Sequence, residues 1–575
     1  MEINLTNTPF SRFGSWLAFQ RIEESHGNIE KGLWLKTVSA RASAGKYFLR
    51  FELTRDNEAV PFTETLRESS LYLKADGGEA EICFENDETI RISARGVGVR
   101  LANREGKDAY HCTYARFQEP GRSVMFNSTR YGGDIMMITA LQGTLVLDAP
   151  WVSDMLPILG SPHIAVSCAP DATSNSIDLA LEMNEYPQWS PGKYNASIPE
   201  LLHSVRADLE QWKARTPRVA DGYRAAAGTA AYLMWSSVVS PRGILERTVG
   251  ISGMIGFENI WGWDNLFEGI AHGYFSPEIA WNNLVVRFDA QGKNGAVPQT
   301  MLDLTAQHHY PPRPLEGWAM QMMRKQFSFS KQQVAEFLPK LERNTEWWFR
   351  CRSKDGIICH YWHGNDSGAD NSSAFDATPW IEAPDLNAYL VLQCRALAEM
   401  ARRLEDADKA EQWTRKGKEV LDALLSRLWN GRQFMVRRVD NGQLIPSTSL
   451  LVYMPVILGD LLPKDIIRIL AEDLSREDAF LTPCGLASED KRSPLFRTNG
   501  YWRGPVWPSW TMLAVDGLHR AGEQALSREI AKRYCDNVLK HGFNENYHPF
   551  SGKGNGCPSV MWAPSVFLIM AGEYL

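Results

Sequence analysis

The sequence predicts an antiparallel β-sandwich followed by a helical domain, which we interpret as an (α/α)6 barrel. Apolar residues alternate with a period of two in the first part of the chain, and they recur at helical spacing in the second part. The length of 575 residues also suits more than one domain, at roughly 150 residues each. The period changes near Ser197, so we expect a sandwich domain over residues 1–195 and a helical domain over residues 196–575.

The first part of the chain is typical of strands in antiparallel sheets. Residues 47–54 alternate in this way, and residues 90–94 and 177–183 repeat the spacing. A period of two places one face of each strand in a core and the other face outward. The Asp-Gly-Gly sequence after Ala75 is typical of a turn between two strands. Many such runs predict a β-sandwich.

The second part of the chain is typical of amphipathic helices. Ser197 is placed to cap the first helix. Apolar stripes in residues 331–352, 386–401 and 526–538 follow the i, i+3, i+4, i+7 spacing. About a dozen such helices are predicted, and pairs of them around a shared centre would form an (α/α)6 barrel. A solenoid is the alternative fold, but the sequence has no fixed repeat period.

Composition limits the function and the location. The formal charge is −7, with 61 Lys and Arg against 68 Asp and Glu, so no basic surface for nucleic acid is expected. The sequence contains no run of about 18 apolar residues, so no membrane-spanning helix is expected. The N-terminus does not resemble a signal peptide. Nine cysteines without a CxxC pair suit reduced thiols. We therefore expect a cytoplasmic protein with no nucleic-acid or membrane partner; the sequence leaves the oligomeric state open.

The chain is rich in tryptophan, with 20 residues, and several of them lie in loops that also carry carboxyl and amide groups. These loops are residues 260–270, 363–377, 501–511 and 543–563. Taken singly, Asp264 or Asp370 could cap a helix, Arg503 could pair with a core carboxylate, and Glu545 could lie on the surface. Aromatic faces beside carboxyl groups also suit a bound sugar. Glycoside hydrolysis needs two carboxyl groups on opposite sides of an acetal, so the four loops together favour that chemistry.

Seven short motifs in these segments resemble those of glycoside hydrolase family 63 and its relatives. In chain order they are W-D at 263–264, S-P-E-I-A at 276–280, G-A-V-P at 295–298, P-L-E-G-W-A at 314–319, S-G-A-D-N-S at 367–372, Y-W-R-G-P-V-W at 501–507 and E-N-Y-H-P at 545–549 with Gly552 and Trp562 behind it. Their order and spacing agree with the family over about residues 225–575. The sandwich half carries no motif of this family.

The resemblance implies an inverting, exo-acting α-glycosidase on an (α/α)6 barrel, acting on a small oligosaccharide or glycoside. Asp370 matches the position of the family's general acid, and Glu545 matches the general base. The residues implied to bind the sugar are Trp263, Asp264, Asn371, Trp502, Arg503, Trp507, Tyr547 and Trp562. No metal and no cofactor is implied. Asp366 and Ser373 depart from the family, in which Glu and Pro are common at these positions.

These roles carry physical expectations. The general acid must stay protonated, so we expect burial or the nearby Asp366 and Asp376 to raise the pKa of Asp370. Glu545 must stay ionised, so we expect hydrogen-bond donors beside it. Inversion requires a carboxyl separation of roughly 6.5–9.5 Å, which admits a water molecule.

Other motifs and other classes of protein remain as alternatives. His360 and His363 could hold a metal, but no ligand set of suitable spacing accompanies them. The glycine-rich segment 552–556 resembles a phosphate loop but lacks its G-K-[ST] end, so we interpret it as a turn. The reserve acids are Glu268, Glu316, Glu382 and Asp385, the last of which is better placed to cap a helix. A glycoside phosphorylase, a sugar epimerase and a non-catalytic carbohydrate-binding protein are the competing classes.

Overall fold

The chain forms an antiparallel β region followed by a helical region, as predicted. The computed structural model describes residues 4–25, 29–39, 47–67, 69–103, 113–128, 134–155, 158–184 and 193–575. The last strand of the β region ends at Asn184, and the first helix begins at Ile198. The predicted boundary at residues 195–196 falls between these two elements.

Seventeen strands lie in the described part of the β region. They are β1 (Leu17–Ile22), β2 (Gly32–Thr37), β3 (Tyr47–Arg55), β4 (Glu58–Val60), β5 (Phe62–Arg67), β6 (Ser70–Ala75), β7 (Gly78–Phe84), β8 (Thr89–Arg95), β9 (Gly98–Ala102), β10 (Tyr114–Glu119), β11 (Ser123–Ser128), β12 (Asp134–Gln142), β13 (Thr144–Asp148), β14 (Val152–Met155), β15 (Ile158–Gly160), β16 (Ala165–Ala169) and β17 (Ser176–Asn184). The predicted turn after Ala75 is the two-residue connection between β6 and β7.

These strands build two large antiparallel sheets. One sheet has the order β1-β2-β3-β9-β16-β13, with β4 paired to β3, and the other has the order β10-β11-β12-β17-β8-β7-β6-β5. Alternate residues of both sheets, such as Leu33 and Phe51 in one and Ile92 and Leu179 in the other, enter a single hydrophobic core. The period-two pattern therefore marks the faces that the two sheets turn toward each other.

Thirteen α-helices lie in residues 193–575, all of which are described. They are α1 (Ile198–Lys213), α2 (Arg224–Ser236), α3 (Asp264–Phe275), α4 (Pro277–Asp289), α5 (Glu316–Met323), α6 (Lys331–Cys351), α7 (Gly364–Ser367), α8 (Pro384–Arg403), α9 (Ala407–Leu428), α10 (Lys464–Ser475), α11 (Pro508–Arg520), α12 (Gln524–His541) and α13 (Trp562–Glu573). A 3₁₀ segment spans Leu450–Leu461. Ser197 caps α1, as predicted, and Glu200 accepts hydrogen bonds from its N–H and hydroxyl groups.

Short strands connect and brace the helices. They are β18 (Val238–Val239), β19 (Val249–Gly250), β20 (Ile260–Trp261), β21 (Thr300–Met301), β22 (Ala306–Gln307), β23 (His360–Tyr361), β24 (Ile381–Glu382), β25 (Val436–Arg438), β26 (Leu444–Ile445), β27 (Leu481–Thr482), β28 (Gly485–Leu486), β29 (Asn544–Tyr547) and β30 (Gly554–Pro558). Within the described ranges no helix is both long and apolar enough to cross a bilayer.

Helical segments pack in a closed ring. Within the fully described residues 193–575, α3 contacts α5, α5 contacts α8, α8 contacts the 3₁₀ segment, that segment contacts α11, α11 contacts α13, and α13 contacts α3. The members of the ring are buried on most sides, which places them in the interior of the helical region. The amphipathic α6, α9 and α12 pack outside the ring. Helices α6 and α12 carry two of the apolar stripes that the sequence predicted, and most residues of these stripes are buried.

The β region and the helical region share a packed interface. Val239, Val249 and Met301, from the short strands β18, β19 and β21 of the helical region, enter the hydrophobic core of the β region. Lys36 on β2 forms a buried ion pair with Glu258, with the Nζ atom 2.8 Å from Oε1. The β region therefore contacts the loop that precedes β20 and α3.

Candidate active site

Loops at one end of the helical ring enclose a cavity of about 290 Å³. The lining residues are Gly256, Phe257, Trp261, Trp263, Asp264, Gln299, His309, Tyr310, Arg313, Asn365, Gly368, Asp370, Tyr501, Trp502, Glu545 and Trp562. The cavity therefore unites residues from all four of the loops that the sequence indicated. Both predicted catalytic carboxyl groups, at Asp370 and Glu545, line it.

Asp370 lies in the loop after α7. A Cβ at Gly364 would lie 2.1 Å from the carbonyl oxygen of Asp370, so close packing requires glycine at that position. Gly368 ends α7 in the left-handed conformation, with a φ of 64°, and turns the chain toward Asp370. The hydroxyl of Tyr501 donates a hydrogen bond of 3.2 Å to Oδ2 of Asp370. The carboxyl group is thus held by its own loop and by the segment 501–511.

Burial raises the pKa of Asp370, and the positive charge of Arg313 opposes this effect. The expectation that Asp366 and Asp376 raise this pKa is wrong. Asp366 accepts hydrogen bonds from Arg352 and from the backbone of Trp362, and Asp376 is paired with Arg503. Both acids are already engaged with partners of their own, so burial is the main cause.

Glu545 lies on β29, which pairs with β30 in a hairpin. The backbone N–H of Cys557 donates a 3.0 Å hydrogen bond to Oε2 of Glu545, which is the kind of donor that we expected. A Cβ at Gly556 would lie only 2.0 Å from Oε2, and the φ of Gly556 is 72°, so the hairpin needs glycine there. Burial raises the pKa of Glu545, the Cys557 hydrogen bond lowers it, and the charge of Asp370 raises it.

Asp264 is the first residue of α3, and Trp263 is the N-cap. Burial raises the pKa of Asp264 to about 7, and the charge of Arg313 opposes this effect. Its carboxyl group lines the cavity and does not serve as the helix cap. A third carboxyl group therefore faces the same space as Asp370 and Glu545.

Tryptophan rings form one wall of the cavity. Trp263 and Trp502 contact each other with centroids 5.9 Å apart, and Trp562 meets Trp263 edge to face at 6.2 Å. Trp507 stacks behind Trp502 at 3.7 Å with the ring planes 6° apart. Trp502 is therefore held between the cavity and a second indole.

Four of the residues predicted to bind the sugar are not among those that line the cavity. Arg503 forms an ion pair with Asp376 and donates from Nε to the carbonyl oxygen of Asn371. Asn371 accepts a hydrogen bond from the backbone of Trp502. Trp507 supports Trp502 from behind, and the hydroxyl of Tyr547 bonds within its own hairpin turn, to Gly542 and to the N–H of Asn544. Arg503, Asn371 and Trp507 therefore support the wall from behind, and Tyr547 holds the turn of the Glu545 hairpin.

Sequence reasoning missed several lining residues. Trp261, Gln299 and Arg313 line the cavity, and each carries a buried polar atom that has no hydrogen-bond partner among the described residues. The sequence did offer an indication for two of them, because Gln299 directly follows the G-A-V-P motif and Arg313 directly precedes the P-L-E-G-W-A motif. Tyr501, which opens the Y-W-R-G-P-V-W motif, was not singled out either.

The reserve candidates have other partners. His360 accepts a hydrogen bond from Nε1 of Trp362, and Nδ1 of His363 accepts one from the N–H of Asn365. Glu382 pairs with Arg437, and Glu316 forms a buried ion pair with Arg287. Glu268 is completely buried beneath Asp264 on α3, and Asp385 accepts a hydrogen bond from Tyr361 inside α8. Residues 548–553 connect β29 to β30, so segment 552–556 belongs to a hairpin.

A helical domain that gathers carboxyl groups and indole rings around one small cavity suits the hydrolysis of glycosidic bonds. We therefore assign the chain to the glycoside hydrolases. A family model described as the mannosylglycerate hydrolase MGH1-like glycoside hydrolase domain matches residues 258–563, more than half of the chain, and the chain belongs to this family. All ten predicted site residues lie within the matched range. The resemblance to glycoside hydrolase family 63 is confirmed.

Individual proteins are similar to different parts of the chain. A mannosylglycerate hydrolase of Thermus thermophilus is 24% identical over 396 residues, which cover 54% of this chain and 93% of the relative. The crystal structure of a family 63 mannosylglycerate hydrolase from a Thermus thermophilus strain, in complex with glucose, has a TM-score of 0.51 and 22% identity over 59% of this chain and 98% of that one. A bacterial glucoamylase with acarbose has a TM-score of 0.60 and 10% identity over 100% of this chain and 94% of that one. Both structural likenesses concern the fold alone, and the one to the glucoamylase includes the β region.

Proposed function

We propose that the protein is an inverting, exo-acting α-glycosidase, with Asp370 as the general acid and Glu545 as the general base. The observation that carries the proposal is the shared cavity, because two carboxyl groups far apart in the sequence face the same enclosed space beside an aromatic wall. The electrostatic influence of Asp370 on Glu545 supports their proximity. A volume of about 290 Å³ is near the lower end of the roughly 300–1,000 Å³ typical of ligand pockets, which suits a single sugar ring.

In the proposed reaction Asp370 donates its proton to the leaving oxygen of the acetal. Burial favours the neutral carboxyl group, so the proton is held until that oxygen develops negative charge. Tyr501 orients the other carboxyl oxygen through its hydrogen bond. The glycosidic bond breaks while positive charge develops on the sugar ring, and the neighbouring carboxylates stabilise that charge.

Glu545 acts from the opposite side of the acetal. Its ionised carboxylate removes a proton from a water molecule, and the resulting hydroxide attacks the anomeric carbon. The N–H of Cys557 stabilises the ionised form and leaves the second carboxylate oxygen free to accept the proton. The new C–O bond forms on the face opposite the leaving group, so an α-glycoside yields a β product.

We also propose that the ring of helices is the inner layer of an (α/α)6 barrel. The closed order α3, α5, α8, the 3₁₀ segment Leu450–Leu461, α11 and α13 supports six inner members. Helices α2, α4, α6, α9, α10 and α12 pack outside them and would form the outer layer. Residues 1–195 and 196–575 are then the two domains, with the cavity at one end of the barrel.

The substrate that we propose is a small α-linked glucoside or mannoside, including the glycosyl-glycerates. The names of the mannosylglycerate hydrolases that this chain is similar to support the glycerate compounds as first choices. A cytoplasmic location is proposed on the basis of the eight cysteines in the described residues, all of which are free thiols.

The test is a substrate panel of α-mannosyl-D-glycerate, α-glucosyl-D-glycerate and the α-linked glucose disaccharides. Released sugar is measured with and without inorganic phosphate, and the anomer that forms first is identified by NMR. We expect hydrolysis without phosphate and a β anomer as the first product. An α anomer appearing first would contradict inversion, and strict dependence on phosphate would indicate a phosphorylase.

Variants test the two roles. We expect Asp370→Asn and Glu545→Gln each to lower kcat by about a hundredfold or more, because each removes a proton-transfer group. Both changes are nearly isosteric, so the melting temperatures should stay close to that of the wild type. Asp289→Asn is the matched control, since its carboxyl group pairs with Arg247 and Lys340 at the end of α4 and does not line the cavity. Near-normal turnover in either catalytic variant would remove that residue from its role.

A further inference from the structure

Arg313 is a buried arginine in the wall of the cavity. It lies between β22 and α5, and only 1% of its surface is exposed. Its guanidinium group stacks on the indole of Trp263, with Cζ 3.7 Å from the ring centroid. One flat face is therefore fixed by an aromatic ring, and the edge of the guanidinium group carries the N–H donors.

The guanidinium group is charged, buried and unpaired. Across the described ranges of the chain, Arg313 has no salt bridge, and its Nε and Nη1 atoms have no hydrogen-bond partner. Asp264 and Asp370 are near enough to influence it electrostatically, but neither lies within ion-pair distance. A buried donor without a partner is costly, and a buried unpaired charge is more so. Arg313 also lines the cavity, which places these unpaired donors beside the space that a ligand would occupy.

Gly368 makes room for this arrangement. A Cβ at Gly368 would lie 1.3 Å from Nη1 of Arg313 and 2.1 Å from Cζ, so no other residue fits beside the guanidinium group. Its φ of 64° also favours glycine. Since Gly368 lies two positions before Asp370, the loop of the proposed acid is shaped around the arginine. The position of Arg313 and the conformation of the Asp370 loop therefore depend on each other.

We propose that Arg313 is a substrate-binding residue whose N–H groups donate hydrogen bonds to hydroxyl oxygens of the bound sugar ring. The choice of a sugar as the ligand rests on the proposed function; the unpaired donors do not. Glu545, which we propose to be ionised, lines the same cavity, so an anionic group would be repelled by its carboxylate. A sugar hydroxyl suits both the guanidinium group and a carboxylate. Its oxygen accepts a hydrogen bond from the guanidinium group, and its hydrogen is donated to the carboxylate.

The test measures binding separately from hydrolysis. D-glucose and D-mannose are titrated by calorimetry into the wild type, Arg313→Met, Gly368→Ala and the double variant. We expect Arg313→Met to weaken binding of the preferred sugar by about tenfold to a hundredfold, since it removes charged donors. Gly368→Ala should weaken binding to a similar extent by displacing Arg313, and the double variant should bind no more weakly than Arg313→Met.

Stability distinguishes binding from a structural role. Replacing an unpaired buried charge by an apolar side chain is often neutral or stabilising, so Arg313→Met should melt no lower than the wild type. The matched control is Arg91→Met, because Arg91 is equally buried but pairs with Asp178 and Glu85 in the β region. That variant should lose stability and keep its affinity for the sugar.

Unchanged sugar affinity in Arg313→Met, or no binding of either sugar by the wild type, overturns the inference. So does a variant that binds both sugars normally but no longer binds D-glycerate, which would assign the guanidinium group to an anion. If the wild type binds a sugar and Arg313→Met does not, while no glycoside of the panel is hydrolysed, the proposed function fails and this inference stands.

Discussion

At the scale of single residues, the chemistry depends on which side chains are left unpaired in the cavity. Arg313 directly precedes one of the family-like motifs, and Arg503 lies within another. The sequence alone favoured Arg503 as a sugar-binding residue. The structure pairs Arg503 with Asp376 and leaves Arg313 unpaired beside Gly368. This difference arises from tertiary packing, so neither the residue type nor the spacing of the motif could reveal it.

Tyr501 offers a test of how the protonation of Asp370 is set. Its hydroxyl donates to the carboxyl group, and a donor stabilises the ionised form and lowers the pKa. We expect Tyr501→Phe to raise the pKa of Asp370 and to move the alkaline limb of the kcat/KM profile upward by up to about one pH unit. The measurement is kcat/KM against pH for both proteins.

The matched control is Tyr223→Phe, since Tyr223 donates to Asp536, which does not line the cavity. That variant should keep the alkaline limb of the wild type. A limb in Tyr501→Phe that stays fixed, or moves to lower pH, would show that Asp370 does not set it.

At the scale of elements, the spacing of apolar residues predicted where helices and strands lie. It did not predict which buried faces contain polar side chains. The apolar stripes of α6, α8 and α12 were confirmed, because packing against a core requires that spacing. Asp264, Glu268 and His272 of α3 are also spaced for one helix face, yet all are buried. The rule of helical spacing expects buried helix faces to be apolar. Because these three buried residues are polar, the spacing of apolar residues did not indicate this face of α3.

The buried Glu268 predicts a pH-dependent stability. Burial raises its pKa from 4.5 to about 8. Between these values the folded state holds a proton that the unfolded state releases, so the free energy of unfolding falls as the pH rises through this window. Glutamine does not titrate, and we therefore expect Glu268→Gln to lose less stability than the wild type between about pH 5 and pH 8.

Urea denaturation at both pH values measures this difference. Glu278→Gln, an exposed position at the start of α4, is the control and should follow the wild type. An equal pH dependence in the wild type and Glu268→Gln would show that this carboxyl group titrates normally in the folded protein.

At the scale of the whole molecule, the described residues of the β region do not line the cavity, but one of them contacts a loop that does. Lys36 of β2 pairs with Glu258, and Oε1 of Glu258 also accepts a hydrogen bond from the N–H of Gly256. Gly256 and Phe257 line the cavity, and a Cβ at Gly256 would lie 2.8 Å from Sγ of Cys557. A buried ion pair thus connects the β region to the hairpin of Glu545. No sequence motif indicated this connection, because its members lie in unrelated segments.

The connection predicts an effect of the β region on catalysis. We expect the double variant Lys36→Met with Glu258→Gln to lower kcat/KM by about tenfold or more, because displacement of the 256–258 loop disturbs the position of the reacting groups. Changing both partners avoids leaving one buried charge unpaired. The measurement is steady-state kinetics beside a thermal melt.

Arg21→Gln is the control for that variant. Arg21 pairs with Glu64 in the β region, and neither residue lines the cavity. It should change stability slightly and leave kcat/KM unaltered. Full activity in the Lys36 and Glu258 double variant would confine the β region to a structural role.

The near-parallel stack of Trp502 on Trp507, with Trp510 and Trp263 against it, has an optical consequence. Indoles 3.7 Å apart share their excited states, so this wall should dominate the near-ultraviolet circular dichroism of the protein. Because Trp502 and Trp263 also line the cavity, a bound ring would alter that signal and quench or shift the emission. Occupancy can therefore be followed in the unlabelled protein, before any glycoside that it cleaves is known.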